Sequence, residues 1–309
     1  MSNGRQGGHG SRRSGSVGRS SRAGDPSGRR GPTAKSWTAP VEFPRGITAL
    51  SPPDGWVDRA AELGVVFDEG EVERLGGYLG LLLATNAVIN LTAIKDATEA
   101  WDRHVLDSLT LLPVLAEAET AEGRERLRVL DVGSGGGLPG LVLACVMPEA
   151  EFVLLDSTEK KCRFLSHAAA ELGLSNVSVV HARAEAAGQE RGTRVDAGGI
   201  AKREGAMRDA FDVVTARAVG AMATLVELTV PFVRVGGLCV LIKGQKADEE
   251  LEEAKGALHA LHTSHAGTVD TPSGRIVVLE KRRATPRMYP RPNGEPKRKP
   301  LGITEAGGA

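Results

Sequence analysis

Two hydrophobic periods divide this chain. Between residues 56 and 84, Val57, Ala60, Leu63, Val66, Leu75, Leu79 and Leu82 recur at helical spacing and predict two or three amphipathic helices. Asn90-Leu-Thr-Ala93 reads as a turn into a further helix with Trp101, Val105, Leu109 and Leu112 on one face. Past residue 116 the pattern becomes short apolar runs alternating with helical stretches. Strands are expected at about 127–133, 151–156, 177–182, 211–216, 237–243 and 275–281, with another near 264–270. Helices are expected at about 139–147, 158–172, 221–233 and 247–262. That alternation predicts an α/β fold with a doubly wound, Rossmann-like sheet behind a small N-terminal helical cap. Residues 1–53, rich in Gly, Ser and Arg, read as a disordered basic extension, and 54–115 as the cap. The α/β domain spans 116–284, interrupted by a charged, glycine-bearing segment, 186–210, expected to be a flexible insertion. Residues 285–309 read as a basic tail.

One connection carries chemistry. Val129 to Val132 reads as a buried strand, followed by Gly133, Gly135, Gly136 and Gly137, and Pro139 suits the first turn of a helix. A strand, glycine turn and helix start let backbone approach a nucleotide closely. Gly135, Gly137 and Gly140 also fit the dinucleotide fingerprint, which is weak alone. Asp131 shifts the balance, because Asp-x-Gly-x-Gly-x-Gly resembles motif I of S-adenosylmethionine (AdoMet) methyltransferases. AdoMet has a sulfonium and an amino-acid end in place of a pyrophosphate, and a carboxylate beside the loop suits those. Asp156 ends the next strand about 20 residues after the loop, where a ribose-diol acceptor is expected.

Composition adds bounds. At 41% hydrophobic and 25% charged residues, the 309-residue chain can bury a core. Cys145, Cys162 and Cys239 are isolated, so no zinc site or disulfide framework is indicated, and buried thiols in a reducing cytoplasm are expected. No apolar run is long enough to span a membrane. The net charge of zero hides an asymmetry: residues 1–36 hold eight basic residues against Asp25, and residues 281–309 hold eight against Glu295 and Glu305. Basic ends on an acidic body suggest a polyanion partner, although solvated tails would look the same.

Several motifs together resemble one family. They are His104-Val-Leu-Asp-Ser-Leu109, Asp131-Val-Gly-Ser-Gly-Gly-Gly-Leu-Pro-Gly140, Leu155-Asp-Ser-Thr-Glu-Lys-Lys-Cys-Arg-Phe-Leu165, Leu241-Ile-Lys-Gly244, Thr285-Pro-Arg-Met-Tyr-Pro-Arg291 and Lys299-Pro-Leu301. The chain from about Gly55 to Leu301 is similar to the glucose-inhibited division protein B family, the bacterial RsmG methyltransferases that methylate N7 of a guanine in 16S ribosomal RNA. The extension and the 186–210 segment depart from that family's compact pattern.

The resemblance implies AdoMet as cofactor, 16S ribosomal RNA or the small ribosomal subunit as partner, a cytoplasmic monomer and no metal. It assigns Gly133, Leu138, Ala184, Glu185 and Arg217 to the cofactor pocket, beside Asp156, which rests on the chemistry above. Each has a plainer alternative: Leu138 as packing, Glu185 as a solvated helix start, Arg217 as partner to a structural acid. For RNA, the candidates are His104, Lys243, Arg287, Tyr289 and Arg291. His104 reads equally as a core histidine bonded to Asp107, and Tyr289 as packing on the sheet.

No catalytic side chain is assigned. Guanine N7 offers a free lone pair, so positioning alone suffices and no general base is required. Thr215-Ala-Arg-Ala218 stands where an amine methylase would carry Asn-Pro-Pro-aromatic, and no Pro-Cys dipeptide supplies a nucleophile for cytosine C5. Other readings are a methyltransferase for a small molecule or protein, an RNA-binding protein on a degenerate cofactor scaffold and, more distantly, an NAD-dependent oxidoreductase.

Overall fold

The computed structural model describes residues 42–120, 126–189, 207–217 and 220–302. The cap contains α1 (Trp56–Glu62) and α2 (Glu71–Asn86). It then has a continuous helical run made of α3 (Ala97–Ala100), a π-helical turn (Trp101–Leu106) and α4 (Asp107–Leu109). α5 (Leu112–Thr120) leads into the alternating part, β1 (Arg128–Val132), α6 (Gly140–Val146), β2 (Glu151–Asp156), α7 (Glu159–Glu171), β3 (Val177–His181) and α8 (Ala184–Gln189). The second half comprises β4 (Phe211–Arg217), α9 (Met222–Thr229), β5 (Val233–Lys243), α10 (Ala247–Glu253), α11 (Lys255–Ala260), β6 (Thr263–Thr271), β7 (Gly274–Lys281) and the short α12 (Glu295–Arg298).

The strands form one seven-stranded sheet in the order β3-β2-β1-β4-β5-β7-β6. β1 to β5 are parallel, and β7 is antiparallel to both β5 and β6. The order reverses direction between β1 and β4, the switch point at which open α/β sheets bind ligands. β1 and β2 are almost wholly buried because helices cover both faces, which is why they read as unbroken apolar runs. Leu130, Val132, Val153 and Leu155 pack on one face with α9 and the α10–α11 pair. Val129, Phe152 and Leu154 face the other way, toward α5, α6, α7 and the cap. The expected doubly wound fold and helical cap are both present. No helix among the described residues is long and apolar enough to cross a membrane.

The cap is locked by a few specific contacts. Trp56 and Trp101 are fully buried and meet edge to face at 4.6 Å, a pairing worth about 0.5–1.5 kcal/mol beyond burial. Asn86 organises the turn ahead of α3, accepting from Leu91 N and Thr92 N and donating to Thr92 O. Asp96 then caps α3 by accepting from Glu99 N at 2.8 Å.

Three boundaries differ from the sequence expectation. Residues 42–53 are not part of a loose extension: Phe43 stacks on His167 at 5.4 Å, His167 Nε2 meets Pro44 O at 2.7 Å, and Leu50 N donates to Gly76 O. Residues 1–41 lie outside the described residues. The expected insertion 186–210 narrows from both ends, since α8 runs to Gln189 and Asp209 N and Ala210 N donate to Pro231 O and Phe232 O. Its middle, 190–206, lies outside the described residues. The expected helix 221–233 stops at Thr229, where Pro231, lacking an N–H, sits in a 3₁₀ turn.

The N-terminal arm generates a test. A Cβ on Gly76 would lie 2.2 Å from Leu50 O, so Gly76→Ala must push the arm off α2. Overpacking of this kind costs about 1–3 kcal/mol. The melting temperature should fall by several degrees and the Leu50 amide should lose slow hydrogen exchange. Unchanged protection at Leu50 would show that the arm does not rest on α2.

Candidate functional site

The site begins with the turn after β1. Gly133, Gly135 and Gly137 all have positive φ (76°, 57° and 96°), backbone that side chains rarely adopt. Gly133 N and Ser134 N donate to Leu155 O, which ties the turn to β2. Asp156 ends β2 with one carboxylate oxygen accepting from Gly135 N at 3.0 Å and the other from Thr158 N at 2.7 Å. The glycine turn and the start of α7 therefore share one carboxylate. From the cap, the buried Tyr78 hydroxyl donates to Gly136 O at 2.8 Å. Sequence reasoning missed Tyr78, since nothing local marks a residue 58 positions upstream as a support for the loop.

Asp131 is fully buried, and its hydrogen bonds lie within the fold. One oxygen accepts from Gly140 N at 3.2 Å and the other from the Thr215 hydroxyl at 3.2 Å. It joins β1, β4 and the first turn of α6. Burial pushes its pKa up to about 7, against the hydrogen bonds from Ser134, Gly140 and Thr215. Gly140 is required beside it, because a Cβ there would sit 2.3 Å from Leu154 Cδ2 and 2.9 Å from Asp131 Oδ2.

A cleft of about 270 Å³ opens at the carboxyl ends of β1, β2 and β3. Gly133, Asp156, Ala184 and Glu185, four of the candidate cofactor residues, line it together. Leu138 and Arg217 do not. Leu138 packs against the cap cluster, and Arg217 donates from Nη2 to Arg103 O at 2.6 Å and stands 4.0 Å from Asp107. The cleft is small beside the roughly 300–1,000 Å³ usual for ligand pockets, so it suits one end of an extended cofactor. Its chemistry fits a nucleoside: carboxylates at Asp156 and Glu185, and half-buried glycine backbone at Gly133. Arg183 and Lys297 also line it, and neither was singled out from sequence.

Gly294 and Lys297 reach the cleft because residues 285–302 form a packed strap rather than a basic tail. Residues 303–309 lie outside the described residues. Arg208 ties the strap to α8 by donating to Gly188 O, Tyr289 O and Thr285 O. Gly294 N donates to Glu185 Oε1 at 2.8 Å. Arg291 forks onto Glu227 of α9, with Nε to Oε1 at 2.9 Å and Nη2 to Oε2 at 2.6 Å, and its own N–H adds a third bond at 2.7 Å. Glu227 is completely buried. The guanidinium of Arg291 is thus engaged in fastening the strap to α9.

The remaining RNA candidates fare unequally. Lys243 Nζ is held by Glu250 at 2.7 Å and Gly220 O at 2.7 Å, with its side chain 8% exposed. Tyr289 is half-buried against the core, the packing alternative for it. Arg287 is exposed. His104 is buried and does not bond Asp107. Its Nδ1 lies 3.2 Å from Arg103 O and its Nε2 2.7 Å from Thr92 Oγ1, so Nδ1 carries the proton and Nε2 accepts. Burial, helped by the Arg217 charge, lowers its pKa to about 4, and the ring is neutral near pH 7. Burial also raises the Asp107 pKa, opposed by a Ser273 hydrogen bond and by Arg217. Burial pushes the Cys145 and Cys239 thiols up to about 12, which makes them inert.

Comparison with known proteins follows the same outline. Residues 71–274 match the family described as rRNA small subunit methyltransferase G. A ribosomal RNA small subunit methyltransferase G from Sorangium cellulosum is 46% identical over 252 residues, covering 82% of this chain and 97% of that one. Its counterpart from Streptococcus pyogenes serotype M12 is 38% identical over 254 residues, covering 81% and 99%. Among solved structures, a putative AdoMet-dependent methyltransferase from Methanococcus maripaludis gives a TM-score of 0.40 at 14% identity, covering 60% of this chain and 90% of that one.

Two outcomes are expected from this geometry. Glu227→Gln breaks a buried pair, which costs about 3–5 kcal/mol. Its strap should loosen and AdoMet affinity, read by calorimetry, should fall with stability; retained affinity in a destabilised protein would separate strap from cleft. Asp131, with a pKa raised from 3.8 to about 7, holds a proton in the folded state that the unfolded chain has lost. Its contribution is therefore full below pH 3.8 and declines as pH rises to about 7. Urea titrations should show Asp131→Asn losing less stability than wild type between those pH values, and parallel profiles would contradict the assignment.

Proposed function

The chain belongs to the rRNA small subunit methyltransferase G family, and from that premise we propose that it transfers the methyl group of AdoMet to N7 of a guanine in 16S ribosomal RNA. The observation that carries the cofactor half is the convergence of Gly133, Asp156, Ala184 and Glu185 on one cleft at the carboxyl ends of β1 to β3. In this reading the remaining acceptor capacity of Asp156 takes the ribose diol and Glu185 lies beside the adenine. Leu138 and Arg217 stand toward the switch point, where the reacting end belongs. The partner is the RNA or the small subunit in the cytoplasm, and the enzyme acts as a single chain.

AdoMet, held by Gly133, Asp156, Ala184 and Glu185, would supply an electrophilic sulfonium methyl that the N7 lone pair would take as the S–C bond electrons pass to sulfur, so that no proton need be released. The protein's own part is to hold and to shield. The glycine turn, fixed by Asp156, Leu155 O and Tyr78, presents rigid backbone on one side. The cap, through Arg103 O and Asp107, orients Arg217 on the other. Alignment of this kind substitutes for acid–base chemistry. Neutral His104, committed to Thr92 and Arg103, supports the architecture without moving a proton.

The full-length protein, labelled AdoMet and 30S subunits from cells lacking this gene should yield one labelled guanine, mapped as 7-methylguanine. The same site carrying 7-deazaguanine should take no label. Label on the deaza substrate, or on another atom, would overturn the N7 reading. The single-turnover rate should be flat through the histidine range near pH 6.5 and His104→Gln merely slower. A limb at that pH, lost in the variant, would mean that His104 acts as a base.

A further inference from the structure

Two cations at the cofactor cleft have no counter-ion. Lys243 is held by Glu250 and Arg291 by Glu227. Arg128, Arg234 and Arg275 are likewise paired, with Glu151, Asp212 and Asp248. Arg183 and Lys297 differ: both are exposed, and neither side chain has an ion pair or hydrogen bond among the described residues. They come from distant parts of the chain, yet they line the same cleft. Each stands on fixed backbone. Ala182 N donates to Asp156 O just before Arg183, whose own carbonyl accepts from Ala187 N. On either side of Lys297, Pro296 O accepts from the Thr224 hydroxyl at 3.1 Å and Lys299 O from Arg291 Nη2 at 2.7 Å.

The groups within the cleft leave these charges unmatched. Asp156 accepts from Gly135 N and Thr158 N, and Glu185 from Gly294 N. AdoMet offers no partner there either. In the reading above, its ribose and adenine lie at Asp156 and Glu185, and its reacting end lies toward the switch point between β1 and β4. The sulfonium, ammonium and carboxylate of AdoMet all belong to its methionine half, and its adenosine half carries no phosphate. Arg183 and Lys297 therefore flank a neutral nucleoside, and the anion that matches them comes from outside the cofactor. An RNA strand presents one at every nucleotide.

We propose that Arg183 and Lys297 form a phosphate seat on the rim of the cofactor cleft and hold the backbone of the substrate RNA there. The inference rests on the RNA and AdoMet reading above and adds the residues that grip the strand. Phosphate contacts set position and register without reading bases. The strand is thereby laid along the edge of the sheet that carries the cofactor, and base selection falls to other groups. Arg183 and Lys297 are positioning residues and touch none of the reacting atoms.

The test measures binding of the full-length protein to 30S subunits from cells lacking this gene, over a range of monovalent salt at fixed Mg²⁺. Saturating S-adenosylhomocysteine, the demethylated cofactor, fills the cleft throughout, so no methyl transfer occurs. Each lost contact to a single-strand phosphate lowers the slope of log affinity against log salt by about 0.7. The double variant Arg183→Gln with Lys297→Gln should bind more weakly, with a slope smaller by about 1.4. The charge-keeping pair Arg183→Lys with Lys297→Arg should retain the wild-type slope. Arg126 and Arg282 are exposed at the opposite edge of the sheet, and replacing both by Gln removes the same charge and should leave the slope near wild type. The phosphate seat is overturned by an unchanged slope in the first variant, by an equal loss at the opposite edge, or by loss of slope in the charge-keeping pair. Binding is read here without methyl transfer, so failure of this seat and failure of the N7 reading in the deazaguanine experiment are distinct results.

Discussion

Asp131 lies at the seam between β1 and β4, out of reach of water, with the Gly140 amide on one oxygen and the Thr215 hydroxyl on the other. A buried carboxyl group is tolerated only where its partners are fixed, and those partners fix the site in return. Gly140 starts α6, so the direction of the helix after the glycine turn is set from β1. Thr215 lies on β4, so the same group holds the two strands whose divergence opens the crevice. Asp156 repeats the device one strand away, with the Gly135 and Thr158 amides on its oxygens. Between them the two acids convert a flexible glycine run into a rigid surface.

The second half of the cleft is built from far away in sequence. Arg208 and the Glu227–Arg291 fork hold the strap, and the strap delivers Gly294 and Lys297 to a cleft otherwise lined from the ends of β1 to β3, α8 and α9. The bidentate geometry matters, since a guanidinium gripped by both carboxylate oxygens cannot swivel. The cap contributes in the same spirit. Tyr78 steadies the glycine turn and Arg103 O steadies Arg217, so elements on both sides of the sheet converge on the switch point.

What could be read from sequence was what is local. The strand, the glycine turn, the acid ending β2 and the alternation of elements all fall within short windows, and the structure keeps them with boundaries shifted by a few residues. What escaped was partnership across the chain. Arg291 and Lys243 carry the charge that RNA contacts require, yet their counter-ions come from α9 and α10, which no spacing rule connects to them. Asp131 stood out by its position in a motif, but position does not say whether a carboxylate faces a ligand or a helix start. The basic count of the C-terminal segment did not separate its members: Arg291 is paired in packing while Arg287 stays at the surface.

The strap also gives the cleft an order of assembly. Gly294 follows its partner Glu185 by 109 positions, and ribosomes extend a chain at only about 5–20 residues per second. During synthesis the glycine turn and the ends of β1 to β3 emerge seconds before the segment that completes their wall. A growing chain therefore passes through a stage in which the sheet can form while the pocket is still open on one side, and the later strap is the segment that turns a folded scaffold into a binding site.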